Sequence, residues 1–303
     1  MFDSVAIQRA IERSGDSGNL YALLIVKDGR LLSESYFAGH TAHDTFALRS
    51  ATKSVISTLV GISVDRGWIG SVQDKLMGYY PQYISDTSDF RKKSISIEHL
   101  LTMTAGFQWN EGSDRLYGNY IESAIELPMR DSPGSVFNYS SAVPHILSGV
   151  ISVSSRSTTT EIATKYLFGP LNIKLTRWDT DAQGIAIGGT GLYLTARDMA
   201  KFAYLYLREG CYNGNQIVSP EWISSTYTQH VADPAYGYLW WYGGENLPRF
   251  YAWGYGGQMI FVVKALDLAV IFTAEPNVNA ATADAVKNLT IDILENDILA
   301  AFE

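Results

Sequence analysis

Cysteine is almost absent from this chain of 303 residues, since Cys211 is the only one. A single cysteine excludes a disulfide framework, a thiolate metal cluster and a Cys-x-x-Cys redox pair. A lone thiol is far more often a small packed side chain than a nucleophile, so Cys211 is not a catalytic candidate. The chain also lacks His-Glu-x-x-His, and its five histidines have no metal-ligand spacing. No metal or other cofactor is therefore expected.

Long apolar runs and clustered positive charge are missing as well. The longest apolar runs, such as Leu20–Val26, are far too short to span a bilayer. The net charge is −8 and the basic residues are scattered, so nucleic acid is not an expected partner. The N-terminus lacks the basic and apolar regions of a secretory signal, which favours a cytoplasmic protein. A periplasmic or secreted chain whose leader had been removed would show the same N-terminus.

The strand signals lie near the two ends of the chain. Residues 4–14 have the spacing of a short amphipathic helix, and Leu20–Val26 and Arg30–Phe37 follow as strands. Asp28-Gly29 between them is a strong signal for a two-residue hairpin turn. A closing helix is expected from about Ala280 to Ala300. Before it, four more strands are predicted: Tyr236–Tyr242, Arg249–Trp253, Met259–Lys264 and Leu268–Ala274.

Helical signals fill the middle of the chain. The helix that follows Ser50 is apolar on nearly every side, which predicts burial, and Gly67 is a suitable stop. Further helices are predicted to begin at Ser96, near Ala142, at the Thr195–Asp198 capping box and at Ser219-Pro220. We therefore predict an α/β protein of the α+β type. Residues 1–64 and 186–303 would form an antiparallel sheet flanked by helices, residues 65–185 a helical region, and the functional site would lie in the groove between them.

One Ser-x-x-Lys element, Ser50-Ala-Thr-Lys53, stands at the start of the apolar helix, and no other lysine has a serine three residues before it. Residues three apart on a helix share a face, so the Ser50 hydroxyl and the Lys53 amine can converge. A serine beside an amine that can give up its proton is a nucleophile with its base. The free N–H groups of a helix N-terminus can also stabilise an oxyanion. The alternative is that Lys53 extends out of the core and Ser50 only caps the helix.

Two further segments carry groups suited to the same chemistry. Phe137-Asn-Tyr139-Ser-Ser141 precedes an apolar helix, so Tyr139 is a second candidate proton acceptor and Ser141 can hydrogen-bond Lys53 and orient it. Trp253-Gly-Tyr-Gly-Gly-Gln258 lies on or beside a predicted strand. Glycines there often mark a close approach to the backbone, such as that of a substrate carbonyl, although a bulge or tight turn would need them too.

Aromatic side chains are candidate walls of an acyl pocket, although aromatic residues more often pack in a core. The candidates are Trp109, Tyr117, Tyr120, Trp240, Trp241 and, in the glycine-rich segment, Trp253.

The three segments resemble, in order, the three motifs of the serine β-lactamase/penicillin-binding superfamily. They are most similar to the branch of class C β-lactamases, D-alanyl-D-alanine carboxypeptidases, family VIII esterases and 6-aminohexanoate-dimer hydrolases. Connecting segments agree with the resemblance, which runs from the first hairpin to the last strand: residues 96–106, residues 188–198, and residues 212–217 followed by Ser219-Pro220. The resemblance implies a β-lactamase/transpeptidase-like fold.

The resemblance also implies roles for individual residues. Ser50 would be acylated, and Lys53 and Tyr139 would share the proton transfer, with either as the base. The oxyanion hole would be the backbone N–H groups of Ser50 and Tyr255. The neighbouring glycines would let the strand lie against the acyl group: Gly254, Gly256 and Gly257.

The sequence departs from the family pattern at two places. Ser141 replaces the usual asparagine of the second motif. The third motif reads Ala252-Trp253-Gly254 or Tyr255-Gly256-Gly257, so the usual lysine or histidine is missing. In the family this cation helps to hold the carboxylate of a β-lactam or peptide. Both departures favour the esterase and amide-hydrolase branch.

The resulting prediction is a serine hydrolase that forms an acyl-enzyme at Ser50 on a small ester or amide. A weak β-lactamase or D-amino-acid peptidase (carboxypeptidase) is the alternative within the enzymes. A binding or sensor module that is acylated and does not turn over is the alternative from another class. The sequence does not indicate the oligomeric state.

Overall fold

The computed structural model describes residues 2–84, 89–244 and 246–302, so positions 85–88 of the predicted helical region lie outside the described residues. The α-helices are α1 (Ser4–Asp16), α2 (Thr52–Asp65), α3 (Ile97–Leu101), α4 (Tyr120–Ile125), α5 (Ala142–Ser155), α6 (Thr159–Ala163), α7 (Ala196–Leu207), α8 (Pro220–Thr226) and α9 (Ala280–Ile293). The strands are β1 (Leu20–Lys27), β2 (Arg30–Tyr36), β3 (Thr45–Ala47), β4 (Arg177–Trp178), β5 (Leu192–Thr195), β6 (Cys211–Tyr212), β7 (Asn215–Gln216), β8 (Trp241–Gly243), β9 (Arg249–Gly254), β10 (Gln258–Val263) and β11 (Leu268–Ala274).

The chain divides into two units, each of which is formed by separate stretches of sequence. Unit 1 comprises Met1–Ala51, Tyr193–Arg208 and Gly243–Glu303, and unit 2 comprises Thr52–Leu192 and Glu209–Tyr242. Among the described residues, no helix is long and apolar enough to cross a membrane.

The centre of unit 1 is an antiparallel sheet in which five strands follow the order β2-β1-β11-β10-β9. β1 and β2 form a hairpin whose turn residues, Asp28 and Gly29, have φ values of +51° and +72°. Positive φ at both positions is the type I′ geometry that suits the twist of a hairpin, so the Asp-Gly prediction is confirmed. The predicted strands at Arg249, Met259 and Leu268 are also confirmed, within one residue at their ends.

Helices cover both faces of this sheet. One face packs with α1 and α9 around an apolar cluster that includes Ile7, Leu23, Phe261, Phe272 and Val286. The alternate residues of the same strands are buried as well, and α7 contacts β1, β10 and β11. Because successive side chains of a strand point to opposite faces, α7 covers the second face. The predicted antiparallel sheet flanked by helices is confirmed.

Unit 2 is mainly helical, and α5 is its central element, in contact with α2, α3, α4 and α6. Every residue of α2 from Thr52 to Ser63 is buried, as predicted for a helix without a polar face. Close packing continues at Gly61, where an added Cβ would lie 2.4 Å from the Trp222 ring. α2 is therefore a fixed support for the side chains that it carries.

The predicted helix starts are mostly confirmed. Ser96 and Ser219 accept N-terminal N–H groups of α3 and α8, and α5 begins at Ala142. Thr195 accepts from the Asp198 N–H, but the Asp198 carboxylate accepts from the Thr195 hydroxyl rather than from a backbone N–H. Only half of the predicted capping box is therefore formed.

The predicted strand Tyr236–Tyr242 is wrong over most of its length, because a strand begins only at Trp241 and Tyr236 forms isolated bridges alone. Leu239 has a φ of +59°, and its N–H donates to the Gly237 and Leu101 carbonyls instead of to a neighbouring strand. The segment is buried and therefore rich in aromatic residues. Because strands are rich in the same residues, its composition resembled that of a strand.

Candidate active site

Lys53 lies in the first turn of α2, and only 1% of its surface is exposed. Its Nζ donates to the Ser141 hydroxyl oxygen and to the Gly189 carbonyl oxygen, both at 3.0 Å. The side chain therefore does not extend into solvent, in contrast to the alternative reading of the Ser-x-x-Lys element. A buried polar group needs such partners, and both of these are acceptors.

Tyr139 lies beside this amine, at the end of the loop that leads into α5. Its ring centroid is 4.7 Å from Lys53 Nζ, which is within cation–π distance. The Tyr139 ring also packs against Trp241, with a centroid separation of 5.4 Å. Unit 2 thus brings together Lys53, Tyr139 and Ser141, although the sequence separates them by almost ninety positions.

Ser50 is in a short 3-10 turn, Arg49–Ala51, that runs directly into α2. Arg49 has a φ of +50°, in the left-handed region that non-glycine residues rarely adopt. Its guanidinium donates to the Pro276 carbonyl at 2.8 Å and to the Asn277 side chain at 2.7 Å. These bonds hold the turn in its unusual conformation, one residue before the predicted nucleophile.

The glycine-rich segment forms the tight turn between β9 and β10. A tight turn was one of the alternatives that the glycines of the sequence allowed. Gly256 and Gly257 have φ values of +89° and +106°, which an L side chain rarely adopts. Gly254 serves close packing instead, because an added Cβ would lie 2.1 Å from the Leu48 carbonyl oxygen. The missing side chain lets β9 lie against the segment that carries Ser50.

Tyr255 stands at the tip of this turn. Its side chain is exposed, and its hydroxyl donates to the Val278 carbonyl at 2.9 Å. The phenol is therefore tied to the protein surface, and the backbone N–H is the group of Tyr255 that the resemblance assigns to the reaction.

The aromatic candidates occupy different environments. Trp109 is buried, and its indole N–H donates to the Glu111 carboxylate at 2.7 Å. Tyr117 is 74% exposed. Trp253 packs against the apolar cluster under α1 and α9, with Lys287 Nζ 3.8 Å from its ring centroid. Of the three, Trp109 is linked by hydrogen bonds to the Lys53 group, which comprises Lys53, Tyr139 and Ser141.

That link is Glu111, which the sequence analysis missed. One carboxylate oxygen accepts from the Ser141 hydroxyl, and the other accepts from the Ser141 backbone N–H at 2.7 Å. Glu111 lies thirty positions before Ser141 in an exposed loop of mixed composition. No local pattern marks it, because its contact is formed by the fold alone.

Tyr236 is the second phenol near this group, and it is completely buried. Burial raises the pKa of Tyr236 well above its ordinary value, and the nearby Tyr139 and Glu111 raise it further. Tyr236 therefore keeps its proton at neutral pH and is not a candidate base. Among the described residues, no group of three or more His, Cys, Asp or Glu side chains is placed to hold a metal ion.

Comparisons with known proteins extend over nearly the whole chain. A family model described as Beta-lactamase matches residues 7–292. A 6-aminohexanoate-dimer hydrolase from Paenarthrobacter ureafaciens is 23% identical over 290 residues, which are 82% of this chain and 71% of that protein.

Solved structures are similar over comparable lengths. EstCE1, described as a hydrolase with promiscuous acyltransferase activity, has a TM-score of 0.78 at 16% identity, over 96% of this chain and 97% of that chain. An octameric penicillin-binding protein homologue from Pyrococcus abyssi has a TM-score of 0.72 at 17% identity, over 99% and 80%. At these identities the likeness shows a shared fold.

Proposed function

Because the chain belongs to the Beta-lactamase family, we propose that it is a serine hydrolase that forms an acyl-enzyme at Ser50 on a small ester or amide. The resemblance predicted from the three motifs is confirmed at the level of the family, and hydrolases are among the relatives. The observation that carries the proposal is the buried Lys53 amine, fixed by two acceptors and lying beside Tyr139.

In the proposed reaction, Ser50 Oγ attacks the substrate carbonyl carbon and its proton passes to Lys53 Nζ or to the Tyr139 oxygen. The contacts of Lys53 support this role. Two of the tetrahedral directions around Nζ are used by N–H bonds to Ser141 and Gly189. An amine held in this way directs its lone pair along a remaining direction, where it can take a proton. The leaving group departs with that proton, and water then releases the acyl group from Ser50.

The negative charge of the tetrahedral intermediate would be bound by the backbone N–H groups of Ser50 and Tyr255. The contact between Gly254 and the Leu48 carbonyl supports this assignment, because it fixes β9 against the Ser50 segment within unit 1. Each donor of such an oxyanion hole contributes about 2.7–4 kcal/mol to the transition state. A displacement of this contact would therefore affect kcat strongly.

An ester or amide is favoured over a β-lactam by the composition of the third motif. Ala252 or Tyr255 stands where the family pattern has lysine or histidine, so the motif supplies no cation for a substrate carboxylate. The names of the hydrolase relatives, one acting on an aminohexanoate dimer and one with acyltransferase activity, point in the same direction.

The experiment measures the turnover of p-nitrophenyl acetate and butyrate, a linear dimer of 6-aminohexanoate and a chromogenic cephalosporin. It uses the wild type, Ser50→Ala and Lys53→Ala, with Ser94→Ala, which changes an exposed serine, as the matched control. We expect ester or amide turnover that both active-site variants abolish and the control keeps, with little cephalosporin hydrolysis.

Other outcomes would contradict parts of the proposal. Dominant cephalosporin hydrolysis would favour a β-lactamase or peptidase. A stable adduct on Ser50 without turnover, detected by mass spectrometry, would favour a sensor. Full ester turnover by Ser50→Ala would exclude Ser50 as the nucleophile, and full turnover by Lys53→Ala would exclude the amine as the proton acceptor.

A further inference from the structure

Glu111 forms three hydrogen bonds that converge on the group around Lys53. Its carboxylate accepts from the Ser141 hydroxyl, from the Ser141 backbone N–H at 2.7 Å and from the Trp109 indole N–H at 2.7 Å. Both carboxylate oxygens are therefore used, and the side chain is held in one orientation although it lies in an exposed loop.

The bond to Glu111 decides the direction in which the Ser141 hydroxyl points. A serine hydroxyl has a single proton, and here the ionised carboxylate, which can only accept, takes it. Ser141 Oγ is then left to accept from Lys53 Nζ, as it does at 3.0 Å. Without the carboxylate, the hydroxyl could rotate and direct its proton at the amine, where it would compete for the lone pair.

The charge of Glu111 has a second consequence. When Lys53 takes the proton of Ser50, an ammonium forms in a buried position, and such a charge is costly unless an opposite charge lies near. Glu111 supplies a negative charge that is separated from Nζ by one hydroxyl group. This arrangement corresponds to the carboxylate that orients a catalytic base and stabilises its cation in a triad.

Two further hydrogen bonds join the loop that carries Glu111 to the second motif, residues 137–141. The Asn138 side-chain amide donates to the Phe107 carbonyl at 3.0 Å and to the Trp109 carbonyl at 3.2 Å. Residues 107–111 are therefore held beside Asn138 and Ser141 by side-chain bonds in both directions. The carboxylate keeps its position without depending on the exposed remainder of the loop.

We propose that Glu111 is a positioning residue of the hydrolase, which fixes the Ser141 hydroxyl as an acceptor and stabilises the ammonium that forms on Lys53. The proposal rests on the proposed function, because it assumes that Lys53 takes the proton of Ser50. Glu111 itself exchanges no proton: the Ser50 proton goes to Nζ, and Ser141 keeps its own.

The test uses Glu111→Gln, which keeps the length of the side chain and removes its charge. Glu126→Gln removes the same charge from another exposed position of unit 2 and is the matched control. At an exposed site, the contribution of a hydrogen bond to a charged group lies at the lower end of the range for such bonds. We therefore expect kcat to fall about tenfold in Glu111→Gln, with KM within about twofold and an unchanged melting temperature. Glu126→Gln should match the wild type.

A double-mutant cycle separates positioning from simple packing of the loop. If Glu111 acts largely through Ser141, Glu111→Gln should lower kcat less in a Ser141→Ala background than in the wild type, and the loss that remains reports the missing charge beside Lys53. An undiminished effect of Glu111→Gln in the Ser141→Ala background would show that Glu111 does not act through the Ser141 hydroxyl and would overturn the proposal, as would a wild-type kcat in Glu111→Gln.

A fluorophosphonate probe, which reacts with an activated serine by displacement of fluoride, gives a readout that needs no identified substrate. The labelling rate of Ser50 should fall about tenfold in Glu111→Gln. Equal labelling rates in the two proteins would overturn the role of Glu111 and leave the serine hydrolase intact. If Ser50 of the wild type is not labelled and no ester or amide is turned over, the proposed function fails, and the role of Glu111 fails with it.

Discussion

The contact between Gly189 and Ser141 allows a stringent test of the Lys53 group. A Cβ added at Gly189 would lie 2.5 Å from the Ser141 carbonyl oxygen and 2.9 Å from the Ser141 Cβ. The backbone of Gly189 is not in the left-handed region, so Gly189→Ala acts by steric overlap alone. The same residue accepts the Lys53 hydrogen bond, which the substitution would therefore disturb.

The size of the effect follows from the overlap. Ordinary contact begins at 3.4 Å, so Gly189 and Ser141 must separate by about 0.9 Å. If Gly189 makes that movement, the 3.0 Å bond from Lys53 Nζ lengthens beyond hydrogen-bond range. A bond to a charged group is worth about 1.5–3 kcal/mol, which corresponds to a fall of about 10- to 160-fold in kcat/KM. Overpacking should lower the free energy of unfolding by about 1–3 kcal/mol.

The assay is ester turnover, with chemical denaturation in parallel. Gly78→Ala is the matched control, because an added Cβ there would meet nothing within 4 Å and the φ of Gly78 is ordinary. It should keep the wild-type rate and stability. A wild-type kcat/KM in Gly189→Ala would refute the reasoning. If stability falls in that case while the rate does not, Gly189 has a packing role only.

Two further predictions concern other parts of the molecule. Gly254→Ala would place a Cβ 2.1 Å from the Leu48 carbonyl, so we expect kcat to fall at least tenfold as β9 is displaced from the Ser50 segment; kinetics that match the wild type would contradict the oxyanion-hole assignment. Burial lowers the pKa of His145 from its ordinary value of 6.5, although its bond to Asp181 opposes the shift. Below about pH 6.5 the unfolded chain therefore binds a proton that the folded chain does not, and the free energy of unfolding should decrease as the pH falls. His145→Gln should make this decrease shallower in guanidinium titrations from about pH 8 to about pH 5. The decrease that remains would come from groups such as His99, because burial also lowers the pKa of His99. An equally steep decrease in the variant would contradict the role of His145.

Local signals predicted much of the fold. Asp28-Gly29 predicted its hairpin because only a few residue types suit a type I′ turn. The continuous apolar pattern after Ser50 predicted a buried helix because a helix in contact with water needs a polar face. Conversely, Tyr236–Tyr242 looked like a strand because burial and strand formation favour the same aromatic residues. The backbone conformation and the hydrogen bonds of Leu239 separate these two cases.

The candidate site was accessible from sequence only in part. Ser50 and Lys53 are close in the chain, so helix spacing alone can relate them. Tyr139 and Ser141 entered through the resemblance to a family, and the structure places both beside Lys53. Glu111 was not accessible by either route, because it joins the group through a contact that depends on the path of an exposed loop. Position-specific contacts of this kind leave no periodicity in a single sequence.

The pairing of β1 with β11 has a consequence for the synthesis of the protein. Leu24 pairs with Ile271, which lies 247 positions later in the chain, and β11 lies in the sheet between β1 and β10. The β1–β2 hairpin therefore leaves the ribosome long before β11 has been synthesised. During that interval the apolar faces of β1 are exposed to solvent. The sequence of unit 2 ends before β9 begins, so unit 2 can form its hydrophobic core during elongation. We expect the nascent chain to need protection chiefly at the β1–β2 hairpin, and the sheet to close in a late step that pairs β1 with β11.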